Sequence, residues 1–444
     1  MAVNTVGRPD LPDLVIYDIF RRLPTKAAAR FSLLSKKWEG ILACLPILDF
    51  DEGGDQNGDN NSERHKKFVD NILIKYLELY EREKQKQLLD KFRLHMTSYL
   101  YKDANLVNNL LSLSFKRSVK EVDISLRVSK LDWNRGWPKR YYLLSRTTFL
   151  DAKSITTLTL EHVRIKNIDS KVVMPESTST ALLPSLKTVA LKNVYFDRKA
   201  LFSLIGDCPS IENLSLISCS FACSEICFSS SSLKMFEAKY CKASEIVVYK
   251  AVNLESVTIV SSSSNSLIER VILKKCCNLR YMDIHGSHMT LFHLEDCREV
   301  KGTIRAPNLD YFSFEGYLNS NVSLEAPRLT VARIMLLDTW DGELSSSNEP
   351  WKHFPKLKDF LAEFGSSIEM ILFVRDLKAL MFPESFRNAL SSPILPKLRQ
   401  LDLATYIYPA EGKDWKELMK CFRWMSPSAS IVQLEYNEEL GEFV

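Results

Sequence analysis

The side chains best suited to metal chemistry are three cysteines near the middle of the chain. Cys219, Cys223 and Cys227 are each separated from the next by three residues. A structural zinc site needs a fourth ligand and roughly tetrahedral closure. The repeat pattern described below instead gives Cys219 a small buried position. We therefore expect these cysteines to pack, and we expect neither a metal ion nor another cofactor.

No other group of residues has the spacing of a catalytic site. His285, His288 and His293 lie close in sequence, but no glutamate takes the helical spacing of a zinc-hydrolase motif. The chain has only 14 glycines and no glycine-rich phosphate loop. No acid pair stands out as general acid and base, and the cysteines lack a local nucleophile signature. We expect no catalytic residue and a protein that is not an enzyme.

One segment alternates aromatic and basic residues, from Trp133 to Tyr142. Such a segment can stack on single-stranded nucleic acid. It can equally form a loop between two structural repeats, with its tryptophans covering the core. The formal net charge of +4 over 444 residues is too small to argue for nucleic acid. We favour the loop and expect no nucleic-acid partner.

Composition is that of a globular chain, with 45% hydrophobic and 26% charged residues. The first residues show no secretory signal, and no apolar run reaches the roughly 18 residues of a membrane span. The ten cysteines lack a compact disulfide spacing, so we predict reduced thiols. These features predict a location in the cytoplasm and/or nucleus and no membrane partner.

The N-terminal segment has the pattern of three short helices. Asp10 and Pro12 suit the start of the first helix, and Pro24 ends it. Thr25 and Ser35 can cap the second and third helices. A segment of so few residues buries too little surface to be stable alone. We therefore expect it to be stabilised by a partner. The first helix carries one apolar stripe, formed by Val15, Ile16, Ile19, Phe20 and Leu23.

Three spaced motifs in this segment resemble an F-box. They are Leu11-Pro12-Asp13, Leu23-Pro24-Thr25-Lys26 and the stretch from Ser32 to Trp38, and the closing Leu45 to Phe50 is similar to plant members. The resemblance implies a helical hook that docks on a Skp-type adaptor, and through it on a cullin and a RING subunit. Leu14 departs from the family, which usually has an acidic residue there. The expected adaptor-binding residues are Leu11, Pro12, Val15, Ile16, Ile19, Phe20, Leu23, Pro24, Ala28, Leu33, Leu34 and Trp38.

A leucine-rich pattern repeats along the rest of the chain. The template is apolar-x-x-apolar-x-apolar, and its central copies recur at intervals of roughly 20 to 30 residues, as in leucine-rich repeats. Cys219 and Cys241 follow their strands where such repeats carry asparagine or cysteine. The copies start at Leu89, Val119, Ile155, Leu186, Ile211, Leu233, Leu254, Leu279, Leu309, Leu329, Leu357, Leu398 and Ile431.

We predict an α/β fold in which an N-terminal three-helix F-box precedes a leucine-rich-repeat solenoid. Its strands form a curved parallel sheet, with helical or irregular returns and some short second strands. The chain resembles plant F-box proteins with leucine-rich repeats and an FBD-like C-terminal region, in which phrases such as Ile304 to Leu309 recur. The predicted domains are the F-box (1–50), a flexible acidic linker (51–63), the solenoid (64–345) and C-terminal repeats with a cap (346–444).

The outward positions of the strands are the predicted target surface. Tyr281 and Tyr311 take the same template position on what the pattern makes consecutive strands, so their rings should lie side by side. Exposed aromatic residues ringed by polar groups suit protein recognition, although a tyrosine ladder could simply stiffen the face. The expected target-binding residues are Tyr281, Asp283, His285, Tyr311, Ser313, Glu315 and Arg333.

The resemblance implies a function in ubiquitin transfer. The chain would be the substrate-recognition subunit of a cullin-based ligase of the SCF type, with the F-box bound to the adaptor and the repeats bound to a target protein that the sequence does not identify. The alternative is a repeat protein that docks on the adaptor without delivering targets for ubiquitin transfer.

Overall fold

The structure is a computed structural model, and the residues it describes fall in several segments. They are 12–23, 25–32, 45–53, 61–83, 88–128, 141–166, 182–261, 266–337, 353–405, 413–434, 436–437 and 442–443. Contacts divide the chain into two compact units, Met1–Ile211 and Glu212–Val444.

The first unit combines the F-box helices with the first strands of the repeats. A π-helical turn, Val69–Ile74, joins two of its helices, Asn61–Phe68 and Lys75–Glu83. The described elements are α1 (Asp13–Arg22), α2 (Thr25–Ser32), β1 (Ile47–Asp51), α3 (Asn61–Phe68), α4 (Lys75–Glu83), β2 (Lys91–Tyr99), α5 (Ala104–Lys116), β3 (Glu121–Val128), β4 (Tyr142–Ser145), β5 (Thr157–Glu161), β6 (Val163–Lys166), β7 (Thr188–Lys192), β8 (Tyr195–Phe196) and α6 (Ala200–Gly206).

Parallel strands build this unit in two rows. One row runs β1, β2, β3, β5 and β7, and the other runs β4, β6 and β8. Helix α5 is the return between β2 and β3 of the first row, and α6 follows β8. Alternate strand residues are buried, as the period of a strand requires. Leu89, Val119, Ile155 and Leu186 each precede a strand of the first row, as predicted.

In the second unit, the segments that connect successive strands of one sheet are shorter than in the first unit. Most of these segments contain a strand themselves. Its described elements are β9 (Asn213–Ile217), β10 (Ser220–Phe221), β11 (Glu225–Phe228), β12 (Met235–Lys239), β13 (Glu245–Tyr249), β14 (Ser256–Ser261), β15 (Arg270–Lys274), β16 (Tyr281–Gly286), β17 (Leu291–Cys297), β18 (Lys301–Arg305), β19 (Tyr311–Gly316), β20 (Asn321–Glu325), β21 (Val331–Leu336), α7 (His353–Ala362), β22 (Glu369–Val374), α8 (Glu384–Asn388), β23 (Gln400–Ala404), α9 (Lys413–Met425), β24 (Ser430–Leu434), β25 (Tyr436–Asn437) and β26 (Glu442–Phe443).

From β11 to β21, successive strands of this unit alternate between two parallel sheets. Sheet one contains β9, β12, β14, β16, β18 and β20 in that order, and sheet two contains β11, β13, β15, β17, β19, β21, β22, β23 and β24. Each sheet therefore gains a strand roughly every 20 to 25 residues through most of the repeats. The many-stranded parallel sheets after N-terminal helices confirm the predicted α/β class and agree with a leucine-rich-repeat solenoid.

At many strand ends the chain turns through two residues. The first has a left-handed backbone conformation, and the second is small and buried. Ser218, Tyr240 and Lys275 have positive φ angles of 53°, 55° and 55°. The N–H of Tyr240 donates to the Val260 carbonyl at 2.8 Å, which extends the parallel ladder by one bond. The next residue is a fully buried cysteine in each case, at Cys219, Cys241 and Cys276. The cysteine positions of the repeat thus fill corners of the core.

The C-terminal region adds helices and further strands of sheet two. Strands β22, β23 and β24 continue this sheet in parallel, and α9 lies between β23 and β24 in the chain. The strand predicted to start at Leu357 is wrong, because this residue lies in α7. Leu357, Phe360 and Leu361 have i, i+3, i+4 spacing, so a helix buries all three on one face.

Two predicted boundaries also shift. Strand β1 ends at Asp51 and is hydrogen-bonded to β2, so the last residues of the predicted F-box range belong to the sheet. Helix α3 begins at Asn61, inside the predicted linker. Residues 54–60 lie outside the described residues. None of the described helices is long and apolar enough to cross a membrane.

Candidate functional site

The inner face of the F-box helices forms a small apolar core. Ile16 and Phe20 of α1 are 3% and 2% exposed. They pack with Ala28 of α2, Leu45 before β1 and Leu79 of α4. The F-box helices therefore depend on a helix that follows the predicted linker for part of their core.

The outer face of α1 leaves large apolar side chains in solvent. Leu14, Val15 and Ile19 are 81%, 43% and 45% exposed, and we call these three residues the F-box stripe. Val15 and Ile19 lie one helical turn apart, so their side chains share a face. Phe31 of α2 is also exposed, at 45%. Exposed apolar side chains that share a helix face are a candidate interaction surface.

The predicted adaptor-binding residues separate into three groups. Pro12, Val15 and Ile19 are exposed, as direct contact with an adaptor requires. Ile16, Phe20 and Ala28 are buried and Leu23 is half-buried, so the prediction that they contact an adaptor is corrected: they build the core beneath the stripe. Leu11, Pro24, Leu33, Leu34 and Trp38 lie outside the described residues.

The sequence analysis noted Leu14 only as a departure from the family and missed Phe31. Two apolar rows at i, i+4 spacing, Val15 with Ile19 and Ile16 with Phe20, could have signalled that one row faces solvent. Only one of two adjacent rows can point straight into a core this small. The exposed candidate row is thus the one next to the core-forming row.

Hydrogen bonds tie the F-box to the first strands. The backbone N–H of Asp49 in β1 donates to Thr25 Oγ1 at the start of α2, at 2.6 Å. The Arg117 side chain is 2% exposed and donates to the Leu45 carbonyl at 2.8 Å and to the Tyr76 hydroxyl at 3.1 Å. A buried guanidinium must have such partners, since an unpaired one is costly. Arg117 therefore fixes the end of the F-box against α4 and the repeats.

A second buried network anchors helix α3. His65 Nδ1 lies 3.2 Å from Glu52 Oε1, and His65 Nε2 lies 2.9 Å from Asp103 Oδ2. All three residues are at most 5% exposed. Glu52 Oε2 also accepts the backbone N–H of Thr97 at 2.6 Å, and Asp103 accepts that of Leu100 at 3.0 Å. We call these three residues the His65 network.

Electrostatics keep His65 charged. Burial alone would lower the pKa of His65, but the hydrogen bonds to Asp103 and Glu52 raise it to about 9. Burial acts on Glu52 in the opposite direction, yet the bonds from His65 and Thr97 keep the pKa of this carboxyl below its usual value. A buried imidazolium between two carboxylates serves anchoring here, because it leaves no ring nitrogen free to exchange a proton with a substrate.

On the target side, the structure separates residues that the sequence placed together. Tyr281, Asp283 and His285 lie on β16 of sheet one. Tyr281 is 61% exposed, and Asp283 Oδ1 lies 2.9 Å from His285 Nε2. Strand β16 pairs with β18 in sheet one. In this pairing Lys301 stands opposite Tyr281, and Arg305 stands opposite His285.

Tyr311, Ser313 and Glu315 lie on β19, and Arg333 lies on β21, both in sheet two. The prediction that Tyr281 and Tyr311 stand side by side on consecutive strands is therefore wrong. Ser313 is only 4% exposed and is not available as a contact. Burial together with the neighbouring carboxylates of Glu295 and Asp296 raises the pKa of Glu315. These four residues do not form one surface with Tyr281.

The reason for the error lies in the turns. The backbone N–H groups of Leu254 and Leu279 donate to the carbonyls of Ala251 and Cys276. These bonds close turns that precede strands of sheet one. The same four-residue turn, from Ala306 to Leu309, precedes β19 of sheet two. One turn sequence thus serves both corners of the repeat, so the template finds strands without identifying their sheet.

The remaining candidates take structural positions. Cys219 is buried, Cys223 is exposed and Cys227 is half-buried, and no group of three possible ligands in the described part of the chain could hold a metal ion. His285 and His293 lie on different sheets. The nine cysteines within the described residues are free thiols, and Cys44 lies outside them.

The described end of the aromatic-basic segment is core. Tyr141 and Tyr142 are buried, and the Tyr142 hydroxyl donates to Asn108 Oδ1 at 2.6 Å. Residues 129–140 lie outside the described residues. The loop interpretation of this segment therefore stays a prediction for its tryptophans.

Comparison with known families supports the separation into F-box and repeats. Residues 9–48 match the F-box domain model, and residues 107–313 match a model described as the leucine-rich repeats of FBD-associated F-box protein At5g56370. The first match contains the F-box stripe. The second contains Tyr281 and most of the strands of the two sheets.

Curated proteins of Arabidopsis thaliana are similar to the chain. Putative F-box/LRR-repeat protein At4g00320 is 29% identical over 48% of this chain and 39% of its own length. Putative F-box/LRR-repeat protein At3g44810 is 25% identical over 67% and 62%, and FBD-associated F-box protein At5g38590 is 30% identical over 46% and 43%. The chain thus spans less than two thirds of these relatives. The predicted resemblance to plant F-box proteins with leucine-rich repeats is confirmed.

Proposed function

We propose that this chain, which carries an F-box domain followed by leucine-rich repeats similar to those of FBD-associated F-box proteins, is the substrate-recognition subunit of an SCF-type ubiquitin ligase. The observation that carries the proposal is the F-box stripe. Leu14, Val15 and Ile19 stay exposed above a well-buried core. A Skp-type adaptor that covered the stripe would remove this apolar surface from water, which is the main source of affinity in such contacts.

The proposed mechanism needs no reacting group from this chain. The F-box would hold the adaptor, the adaptor would hold a cullin with its RING subunit, and the repeats would hold a target protein. Ubiquitin transfer would then be performed by other subunits, while this chain supplies proximity and orientation. The buried Arg117 suits that role, because it keeps the end of the F-box fixed to α4 and the repeats, and the His65 network anchors α3 beside the first strands.

The test is affinity capture with the full chain and a paired set of variants. Val15→Asp with Ile19→Asp places two charges on the stripe and leaves the core residues in place. Asp18→Ala with Arg22→Ala changes two exposed residues of the same helix and serves as the control. Deleting 1–50 is a poorer test, since it would also remove most of strand β1 from the sheet.

The expected result is loss of the adaptor, cullin and RING subunit from the stripe variant, with all three retained by the control. Target proteins should remain with both variants. Capture of the adaptor without a cullin and RING subunit by the wild-type chain would favour the alternative, an adaptor-docked repeat protein that does not deliver targets. Undiminished adaptor on the stripe variant would contradict the proposed docking surface.

A further inference from the structure

A basic groove lies at the N-terminal ends of β16 and β18, which are neighbouring strands of sheet one. Its volume is about 430 Å³, and two tyrosines, Tyr281 and Tyr317, contribute to its walls. Three bases line it, namely Arg280, Arg298 and Lys301, with Glu299 as the one carboxylate. We call this the Tyr281 groove. Its size falls in the range of about 300–1,000 Å³ that is typical of ligand pockets.

The bases of the groove differ from others on the two sheets. Arg305 is paired with Glu325 at 3.1 Å, Arg270 with Glu245 at 3.3 Å and Lys274 with Glu295 at 2.8 Å. Within the described residues, no such ion pair is formed by the three groove bases, which are all exposed. Their charges are therefore available to a ligand, while most bases elsewhere on the sheets are already neutralised by a neighbour.

The backbone that carries these side chains is fixed. The N–H of Lys301 donates to the Arg280 carbonyl at 2.8 Å, so the starts of β16 and β18 are held together. The Arg298 carbonyl accepts from Ser320 Oγ at 3.3 Å, one repeat further on. Tyr281 stands opposite Lys301 in the register of the two strands. Such a site loses little backbone entropy when it binds a ligand.

We propose that the Tyr281 groove binds an acidic peptide segment of the target protein. Arginine side chains bind carboxylates through two parallel N–H···O bonds, and Lys301 adds a third positive charge. The exposed ring of Tyr281 supplies the aromatic contact that recurs at the centre of protein interfaces. This inference deepens the proposed function and rests on it for the identity of the ligand as a target.

Charge favours a peptide over nucleic acid in this groove. Three bases are few for a phosphate backbone that follows the groove. The chain as a whole carries a formal net charge of only +4. Nucleic-acid sites combine extended basic grooves with several stacking rings. Single-stranded DNA is therefore an alternative outcome of the test.

The test measures binding of short labelled peptides to the full chain, alone and mixed with a Skp-type adaptor, by fluorescence anisotropy. One peptide consists of aspartate, glutamate and serine, and its matched control has asparagine and glutamine in place of the acids. Labelled oligothymidylate is the third probe. The groove variant is Arg280→Gln with Arg298→Gln. The control variant, Arg270→Gln with Arg305→Gln, removes the same charge outside the groove.

The acidic peptide should bind the wild-type chain, and its affinity should fall by roughly tenfold to a hundredfold in the groove variant. It should change less than about twofold in the control variant, and Tyr281→Ser should weaken binding by at least about tenfold. Equal losses in both charge variants would contradict the proposal, because they would show a general charge effect. Tighter binding of oligothymidylate than of the acidic peptide would also overturn it.

Adaptor affinity, measured on the same preparations, keeps this proposal separate from the proposed function. Retained adaptor binding with no groove-dependent peptide binding would refute the groove alone. Groove-dependent peptide binding by a chain that binds no adaptor would support the groove and refute the proposed function.

Discussion

The His65 network makes a specific prediction about stability and pH. The pKa of His65 is raised from 6.5 to about 9, so protonation of this side chain favours the folded state. A shift of this size corresponds to about 3 kcal/mol of unfolding free energy. Because the folded pKa lies above the unfolded one, the full contribution is present below about pH 6.5 and is lost as the pH rises through about 9.

The contribution of Glu52 to stability changes with pH in the opposite direction, and it does so at acid pH. Its folded pKa is lowered, so its contribution is present above its unfolded pKa and is lost as the pH falls through the folded one. The network should therefore stabilise the first unit most between the two transitions. Replacing His65 with phenylalanine would leave two buried carboxylates without their cation, which costs about 3–5 kcal/mol for a buried pair.

The assay is urea unfolding followed by circular dichroism from about pH 5 to about pH 10, for wild type, His65→Phe and His288→Phe. His288 is exposed and serves as the control for the general loss of a histidine. The difference in unfolding free energy between wild type and His65→Phe should be about 3 kcal/mol near pH 6 and should shrink steadily above pH 7. A difference that is constant across this range would refute the charged state of His65.

Three further predictions concern packing and thiols. Phe20→Ala should lower the unfolding free energy by about 3–5 kcal/mol in a thermal or urea melt, because its ring is 2% exposed in the F-box core. Gly302→Ala should destabilise the chain, since an added Cβ would collide with the backbone oxygen of Met282. Gly206→Ala, which meets nothing within 4 Å, should leave the melting temperature nearly unchanged. Alkylation without reductant should modify the exposed Cys223 first, and full alkylation after unfolding should find every cysteine as a free thiol.

The helices of the F-box could be predicted from sequence, but the use of each face could not. Apolar spacing and the proline signals placed α1 and α2 well, since these signals are local. Which apolar row is buried depends on Leu45 and Leu79, which approach from distant parts of the chain. The sequence therefore assigned Phe20 and Val15 the same role, although one is core and the other is exposed.

The repeats show the same limit on a larger scale. Strand positions followed from alternation, because burial of one sheet face imposes a period of two. Membership of a sheet depends on how many corners the chain turns between strands, and the turn at Ala306 resembles the turn at Cys276. The pairing of Tyr281 with Lys301 rather than with Tyr311 could be learned only from the register of the strands.

The most direct test of the account is calorimetric titration of a purified Skp-type adaptor into the wild-type chain, the Val15→Asp/Ile19→Asp variant and the Asp18→Ala/Arg22→Ala control. We predict that the stripe variant binds the adaptor at least roughly a hundredfold more weakly, since it loses two apolar contacts and buries charge. The control should bind within about twofold of wild type. Wild-type affinity in a stripe variant with an unchanged melting temperature would contradict the claim that Leu14, Val15 and Ile19 form the adaptor surface.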